Sequence, residues 1–488
     1  MKTNDKGITL TVSQEKVLKQ MLGFVFNSTD RVFILKGYAG TGKTTLMRFL
    51  IKELSGQDRR FVLLAPTGRA AKVLSNITRR ETQTIHGMIY SFANLNKDLS
   101  DKEEDELNVD STGQLYINFE PVKLDEKNVR PTVYIVDESS MVTDVEEKLI
   151  TQAKFGSGKL LTELLEYDRR PDSKYIFVGD PCQLPPIRER LSPALLPEYF
   201  ERHFDMHPQE AALTEIMRQK GDNDLIRVSH LIRKLCTTAP DDESAYPFTA
   251  WARFPLRGNC NVHLHDNLDR MVESYLDNVQ SNGYNDAIFI SPSNKKCREL
   301  SVEIRRKLGF GCDAVQKGDL LMVIQNNYPT GLMNGDMVEV EEVGDRDMYY
   351  AGLVFRQVVV RELFTNETKS ALLLMQTVTS DMLNLDAMQQ TSLFVDFIKR
   401  MRRKGIVQNK DKELFRQAML SDPFLNALRC VYGYAVTCHK AQGGEWNNVY
   451  VDFGMMACKP TKEKYQWVYT AVTRAKETLH VLNKPYIQ

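Results

Sequence analysis

No stretch of this chain approaches the roughly 20 consecutive apolar residues of a membrane helix. The opening MKTNDKGITL also lacks the charged-then-apolar profile of a secretory leader. A cytoplasmic protein with no membrane partner is therefore expected. The eight cysteines, at 182, 236, 260, 297, 312, 430, 438 and 458, contain no C-x-x-C pair and no His/Cys cluster at zinc spacing. Reduced, structural thiols follow, and a zinc module does not. Net charge is absent too: 64 basic residues balance 64 acidic ones. Any nucleic-acid partner must then be held by a local groove and not by a basic chain overall. No set of spaced carboxylates suggests a nuclease. What remains, 42% apolar and 26% charged over 488 residues, fits an ordinary globular protein of about three domains.

The first definite signal is GYAGTGKTTL at 37–46, which fits G-x-x-x-x-G-K-[ST] from Gly37 through Gly42, Lys43 and Thr44. An apolar, β-rich RVFILKG precedes it and a helical spacing of Leu46, Phe49, Leu50 and Leu54 follows, the strand–loop–helix context that the motif requires. Ala39, Gly40 and Thr41 complete the loop, and Thr45 begins the helix with Thr44. Backbone N–H groups and the helix N-terminus would cradle phosphates. Lys43 adds a mobile cation, and the Thr44 hydroxyl suits Mg2+. A second glycine run, FGSGKLL at 155–161, fails the pattern because Ala153 replaces the first glycine and Leu160 the Ser/Thr. A surface loop is expected there.

A phosphate loop needs a carboxylate at the end of a neighbouring parallel strand. TVYIVDESSMV (132–142) supplies Asp137 for the metal and Glu138 as general base. SKYIFVGDPCQLPPI (173–187) places the uncharged Gln183 where an amide can sense the γ-phosphate or its water. RFVLLAPTGRAAKVL (60–74) ends in a strand-to-helix turn with Thr67 and Arg69, suited to a second anion. Four such strands alternating with helices predict a doubly wound parallel sheet. The second half repeats the theme without a phosphate loop, in NVHLHD, AIFISPSN, YGYAVTCHKAQGGEW and NNVYVDF. It adds Arg218 and Arg474, which could neutralise charge on a transferred phosphoryl group across a cleft.

In order, GYAGTGKTT, APTGRAA, TIHG, DESSMV, VGDPCQLPPI, LTEIMRQ, AVTCHKAQGGEW and YTAVTRAKE resemble the motifs of superfamily 1B DNA helicases, in the RecD-like, Dda-like branch. The resemblance spans residues 14–476. It implies an α/β fold of two RecA-like P-loop NTPase cores, parallel sheets flanked by helices, with an inserted pin domain and an SH3-like β accessory domain. It further implies an ATP hydrolase, using ATP and Mg2+, that moves 5′-to-3′ on single-stranded DNA and unwinds duplex. By position it assigns adenine reading to Gln14, coupling to Gln183, arginine fingers to Arg218 and Arg474, and a place near the ribose to Glu445. The DNA track would comprise Thr67, His86, Ser291, Asn294, Thr437, His439 and Lys440; His86 and His439 read equally well as core or hinge histidines.

The expected domains are 1–87 with 131–215 (first core), 88–130 (pin), 216–325 with 431–488 (second core) and 326–430 (accessory domain with a helical arm over 380–420). Phe92, Tyr116 and Phe119 are the aromatic candidates for the pin, beside the acidic DKEEDE at 101–106. The basic IKRMRRKGI reads as a solvated helix face or as a phosphate grip. Expected partners are single-stranded and forked DNA, with single-strand-binding or recombination proteins as further candidates, and a monomer is expected. The family's settings are DNA replication, recombination and repair. A phosphate loop so near the N-terminus leaves little room for a preceding domain. Two other readings stay open: a DNA-stimulated translocase that strips proteins without separating strands, and a P-loop switch indifferent to nucleic acid.

Overall fold

Burial on both faces of the central strands decides the layers. The computed structural model describes residues 9–107, 109–112, 114–124, 130–146, 153–215, 224–239, 256, 261–311, 314–379, 384–454 and 460–482. Among them, Thr82–Thr84, Phe61–Ala65, Val133–Val136, Lys174–Gly179, Val32–Gly37 and Gln209–Leu213 lie side by side in that order, all parallel. Phe33, Leu35, Ile135 and Val178 face the helices Val12–Asn27 and Lys43–Gly56; Val32, Ile34, Val136 and Phe177 face Leu160–Tyr167 and Pro197–Phe204. Both faces are thus dry, as a parallel sheet requires.

A second all-parallel sheet runs Val262–His265, Ala475–Leu482, Trp446–Val451, Ala287–Ser291, Ala435–Thr437. Ile288, Ile290, Val449 and Val451 pack against the helices Asp224–Thr238 and Lys462–Val472. Phe289 and Tyr450 on the other face share one core with Leu320, Val338 and Val358 of an antiparallel sheet. That sheet orders Thr368–Leu374, Leu353–Glu362, Met337–Tyr350, Leu320–Val323 and Cys430–Tyr432. The expected α/β class with parallel sheets flanked by helices is what the chain adopts. The five described cysteines, 182, 236, 297, 430 and 438, are buried free thiols; Cys260, Cys312 and Cys458 lie outside the described residues. No helix among the described residues is long and apolar enough to cross a membrane.

A small sheet pairs Tyr90–Leu95 with Ile117–Pro121, and the latter with Ala153–Phe155. Residues 155–161, expected as a surface loop, therefore end a strand, turn through Gly156 and Gly158 at φ 48° and 88°, and enter the helix Leu160–Tyr167. Four buried leucines on that helix override the loop-like composition. Two of the three pin candidates, Phe92 and Phe119, are packed against other rings. Phe119 stacks on Phe155 at 4.6 Å and meets Phe92 edge-on at 6.2 Å, while the Tyr116 backbone N–H donates to Asn96 Oδ1.

The insertion is braced from afar. Leu95, Leu99, Leu107 and Leu115 share a core with Leu393, Phe397 and Met401 of the helix Ala387–Arg403. The basic run on that helix is largely occupied: Arg402 donates to the carbonyls of Leu99 and Lys102, Arg403 pairs with Glu104 at 2.6 Å, and Arg400 pairs with Asp396 and Asp422. These arginines hold the acidic insertion to the arm, because carbonyls and carboxylates there reach them first.

His263, His265 and His480 gather on adjacent strands, with His265 Nε2 3.1 Å from His480 Nδ1 and His480 stacked 4.0 Å over Tyr450. Burial, with the other two imidazoles, holds His480 down at about 3. The unfolded chain binds that proton near 6.5 while the folded chain refuses it, so stability falls as pH drops from 6.5 towards 3. Urea unfolding at pH 7 and pH 5 should show His480→Gln losing about 1–2 kcal/mol less than the unaltered chain over that step. An equal loss in both would remove His480 as the cause.

Candidate nucleotide cleft and strand path

The loop after Val32–Gly37 closes only with glycine at its turns. Gly40 and Gly42 stand at φ 76° and 82°, the left-handed region. A Cβ at Gly37 would lie 2.7 Å from Lys43 Cγ, and one at Gly42 2.5 Å from Gln14 Nε2. The helix Lys43–Gly56 starts without a side-chain cap, so its first N–H groups and its dipole are available to an anion. Lys43 Nζ lies 2.7 Å from the Gly37 carbonyl and 3.3 Å from that of Tyr38. It is held at the loop mouth by weak acceptors that a phosphate oxygen can replace. Gln14, buried in a capping box with Thr11, donates from Nε2 to the Thr41 carbonyl at 3.1 Å. It braces the loop from outside.

Asp137 and Glu138 follow the strand Val133–Val136 into the same space. Burial, then the neighbouring Glu138 charge, pushes Asp137 up to about 7. Glu138 takes a left-handed backbone at φ 50°, and its Oε2 is buried with no hydrogen-bond partner. Gln183 Oε1 is buried and unpartnered as well. A buried carboxylate beside unpartnered acceptors is the environment a hydrated cation relieves. Among the described residues no group of three or more His, Cys, Asp or Glu could hold a metal by itself. Thr44 and Asp137 line the cleft and are the residues that would hold Mg2+ beside nucleotide phosphates.

The opposite wall comes from the second sheet. Arg474, 3% exposed, donates from Nε to the Thr470 carbonyl at 2.9 Å and from Nη1 to that of Gly444 at 3.2 Å. It lines, with Lys43, Thr44, Asp137, Glu138, Gln183 and Glu445, one cleft of about 730 Å³, within the range of small-molecule sites. Gln14, Gly40, Gly42, Ala39 and Thr45 line it too. Arg218 lies outside the described residues.

Sequence reasoning missed the groups that join the two walls. Tyr469 OH accepts from the Ala39 N–H at 3.1 Å and donates to Asp180 Oδ2 at 2.9 Å. Thr470 Oγ1 accepts from the Leu184 N–H, and Gln442 Nε2 donates to the Leu184 carbonyl. The signal was present in YTAVTRA, where Thr470 stands four residues before Arg474, one helical turn. Arg69, expected beside a second anion, is held against the second sheet. Its guanidinium carbon lies 4.5 Å from the centre of the Trp446 ring, a cation–π contact between elements of the two parallel sheets, and burial lowers its pKa to about 10.

Of the strand-path residues, Asn294, Thr437 and Lys440 surround one cavity of about 710 Å³ with Arg298 and Tyr432. Burial lowers the pKa of Lys440 and of His439 beside it. The Ser291 hydroxyl is buried without a partner next to Thr437 in the sheet. On the first sheet, Thr67 caps the helix Gly68–Thr78 through the Ala70 N–H. His86 stands edge-on to Phe155 at 5.2 Å, and burial drops it to about 4, so it is neutral near pH 7. It packs against Tyr90 and Phe155.

Residues 9–240 match the family model described as an AAA domain, and 432–482 the UvrD-like helicase C-terminal domain. Together the two matches cover more than half the chain. An uncharacterized protein, R530, of Acanthamoeba polyphaga mimivirus is 24% identical over 96% of this chain and 98% of its own length. The ATP-dependent RecD2 DNA helicase of Deinococcus radiodurans is 23% identical over 96% of this chain, which spans 48% of that protein. The ATP-dependent DNA helicase dda of Enterobacteria phage T4 is 45% identical over 81 residues, 16% of this chain and 18% of that one.

Proposed function

Because the chain belongs to the superfamily 1B DNA helicases, in the RecD-like, Dda-like branch, and is an ATP-hydrolysing enzyme of that class, we propose that it travels 5′-to-3′ on single-stranded DNA and unwinds duplex ahead of it. The observation that carries the reading is the single cleft in which a phosphate loop on one parallel sheet faces Arg474 on another.

In this reading ATP lies across the cleft, its phosphates on the Gly37–Thr44 loop and Lys43, its base near Gln14 and its ribose near Glu445. Mg2+, carried in on the nucleotide and met by Thr44 and Asp137, would neutralise charge on the phosphate oxygens. Glu138 takes a proton from the attacking water, which Gln183 orients, and Arg474 stabilises charge on the transferred group from the far wall. Arg218 would be the second finger. Hydrolysis thus depends on the two walls being closed together, and Tyr469, Thr470 and Gln442 report the state of one wall to the other. Thr67 and His86 on the first core and Ser291, Asn294, Thr437, His439 and Lys440 on the second would take turns holding the strand, mainly by its backbone. Each base-pair step costs about 1.4 kcal/mol to open, so the braced insertion need only block reannealing. The first core would comprise 1–87 and 131–215, the pin 88–130, the second core 216–325 and 431–488, and the accessory domain 326–430.

Partial duplexes with a 5′ or a 3′ single-stranded tail, with ATP turnover followed in the same tubes, test this. Separation of the 5′-tailed substrate alone is expected. Separation from the 3′ tail would overturn the polarity, and DNA-stimulated turnover without separation would favour a protein-stripping translocase.

A further inference from the structure

Two large apolar side chains are left exposed on the wall of the nucleotide cleft: Ile77, 40% exposed, near the end of the helix Gly68–Thr78, and Phe364, 46% exposed. Phe364 comes from neither parallel sheet. It sits on the turn joining Leu353–Glu362 to Thr368–Leu374 in the antiparallel sheet, yet it shares the cleft with Gln14 and the phosphate loop.

That turn is built to present it. Leu363 is buried, its N–H donating to the Met337 carbonyl at 3.0 Å and its carbonyl accepting from Asn285 Nδ2 at 2.6 Å. Asn366 takes the left-handed conformation at φ 59° and closes the turn onto the Glu362 carbonyl at 2.9 Å. The Glu362 carboxylate accepts from Thr365 Oγ1 at 2.6 Å and from Lys72 Nζ at 2.7 Å. Lys72 also pairs with Asp336 of the same sheet. Because Lys72 lies on the helix that carries Ile77, the ion pairs fix the turn to that helix. With its backbone held on both sides, Phe364 could have been turned inward beside Leu363; instead its ring stands in the cleft. An exposed aromatic on a rigid turn beside a phosphate site offers a flat apolar face to a planar ligand at little ordering cost.

We propose that Phe364 is the stacking platform for the purine ring of the bound nucleotide, so that the antiparallel accessory sheet completes the ATP site and Lys72 is the residue that positions it. This rests on the reading of the cleft as an ATP site. It assigns to that sheet a part in nucleotide binding, apart from any contact with the strand.

The test measures ATP turnover in the presence of single-stranded DNA for the unaltered chain, Phe364→Ala and Phe364→Tyr. It adds the fluorescence of Phe364→Trp, after subtraction of the unaltered chain's signal, titrated with ADP and with inorganic tripolyphosphate. Loss of one base–aromatic stack should raise KM for ATP about tenfold in Phe364→Ala, with kcat within about twofold and Phe364→Tyr restoring the original value. The indole at 364 should be quenched by ADP and not by tripolyphosphate, which carries no base. An unchanged KM in Phe364→Ala, or equal quenching by both ligands, overturns the proposal while leaving the ATP site standing. Failure of the unaltered chain to bind or hydrolyse ATP would instead overturn the reading of the cleft itself.

Discussion

Arg474→Ala is expected to slow DNA-stimulated ATP hydrolysis by about 10³-fold or more, the range in which an arginine finger acts, while leaving single-strand affinity within a few-fold. The guanidinium is buried and already steered by the Thr470 and Gly444 carbonyls, so it enters the closed cleft pre-oriented. Those carbonyls are neutral acceptors, and the guanidinium's field also favours the ionised form of the buried Asp180. Arg474→Lys keeps the charge and loses the fork, and should recover little. A thermal melt of each variant separates lost chemistry from lost folding. Full turnover by a folded Arg474→Ala protein would show that the charge across the cleft plays no part in hydrolysis.

Lys43→Ala should remove ATP turnover and unwinding together, each by about 10²–10³-fold or more, as expected when a preorganised charge aimed at the reacting group is deleted. Lys43 donates to the Gly37 and Tyr38 carbonyls, and its charge also favours the ionised forms of the buried Asp137 and Asp180. The loss should appear in kcat and nucleotide affinity, and a thermal melt of the variant separates it from any change in stability. Retained turnover would refute the assignment of the phosphate loop. Loss of unwinding with turnover intact would place Lys43 in the strand path.

The nucleotide half of the site was legible in the sequence because its determinants are local. Gly40 and Gly42 need positive φ and Lys43 opens a helix within a few residues of one another, while Asp137 and Glu138 follow directly on a strand of their own. The parallel class was legible for the same reason, since continuous apolar strands alternating with helical spacing state it residue by residue. Even the opposite wall left a trace in the spacing of Thr470 and Arg474.

What the chain does with its remaining charges and rings was decided only in three dimensions. The basic run at 399–404 reads as a solvated face or a phosphate grip. Folded, Arg402 and Arg403 reach back some 300 residues to the Leu99 and Lys102 carbonyls and to Glu104. The glycines at 156 and 158 do form a turn, but that Ala153–Phe155 before it is a strand is decided by its pairing with the distant Ile117–Pro121. Phe364 and Lys72, nearly three hundred residues apart, carry no motif. A partner at such separation sets no period and no local spacing, so nothing in the chain's patterning announces it. Local backbone geometry and alternating burial are written in the sequence by itself; which distant carbonyl, carboxylate or ring completes each charge and each aromatic is settled by how the sheets pack. The cleft between them exists only once that packing is complete.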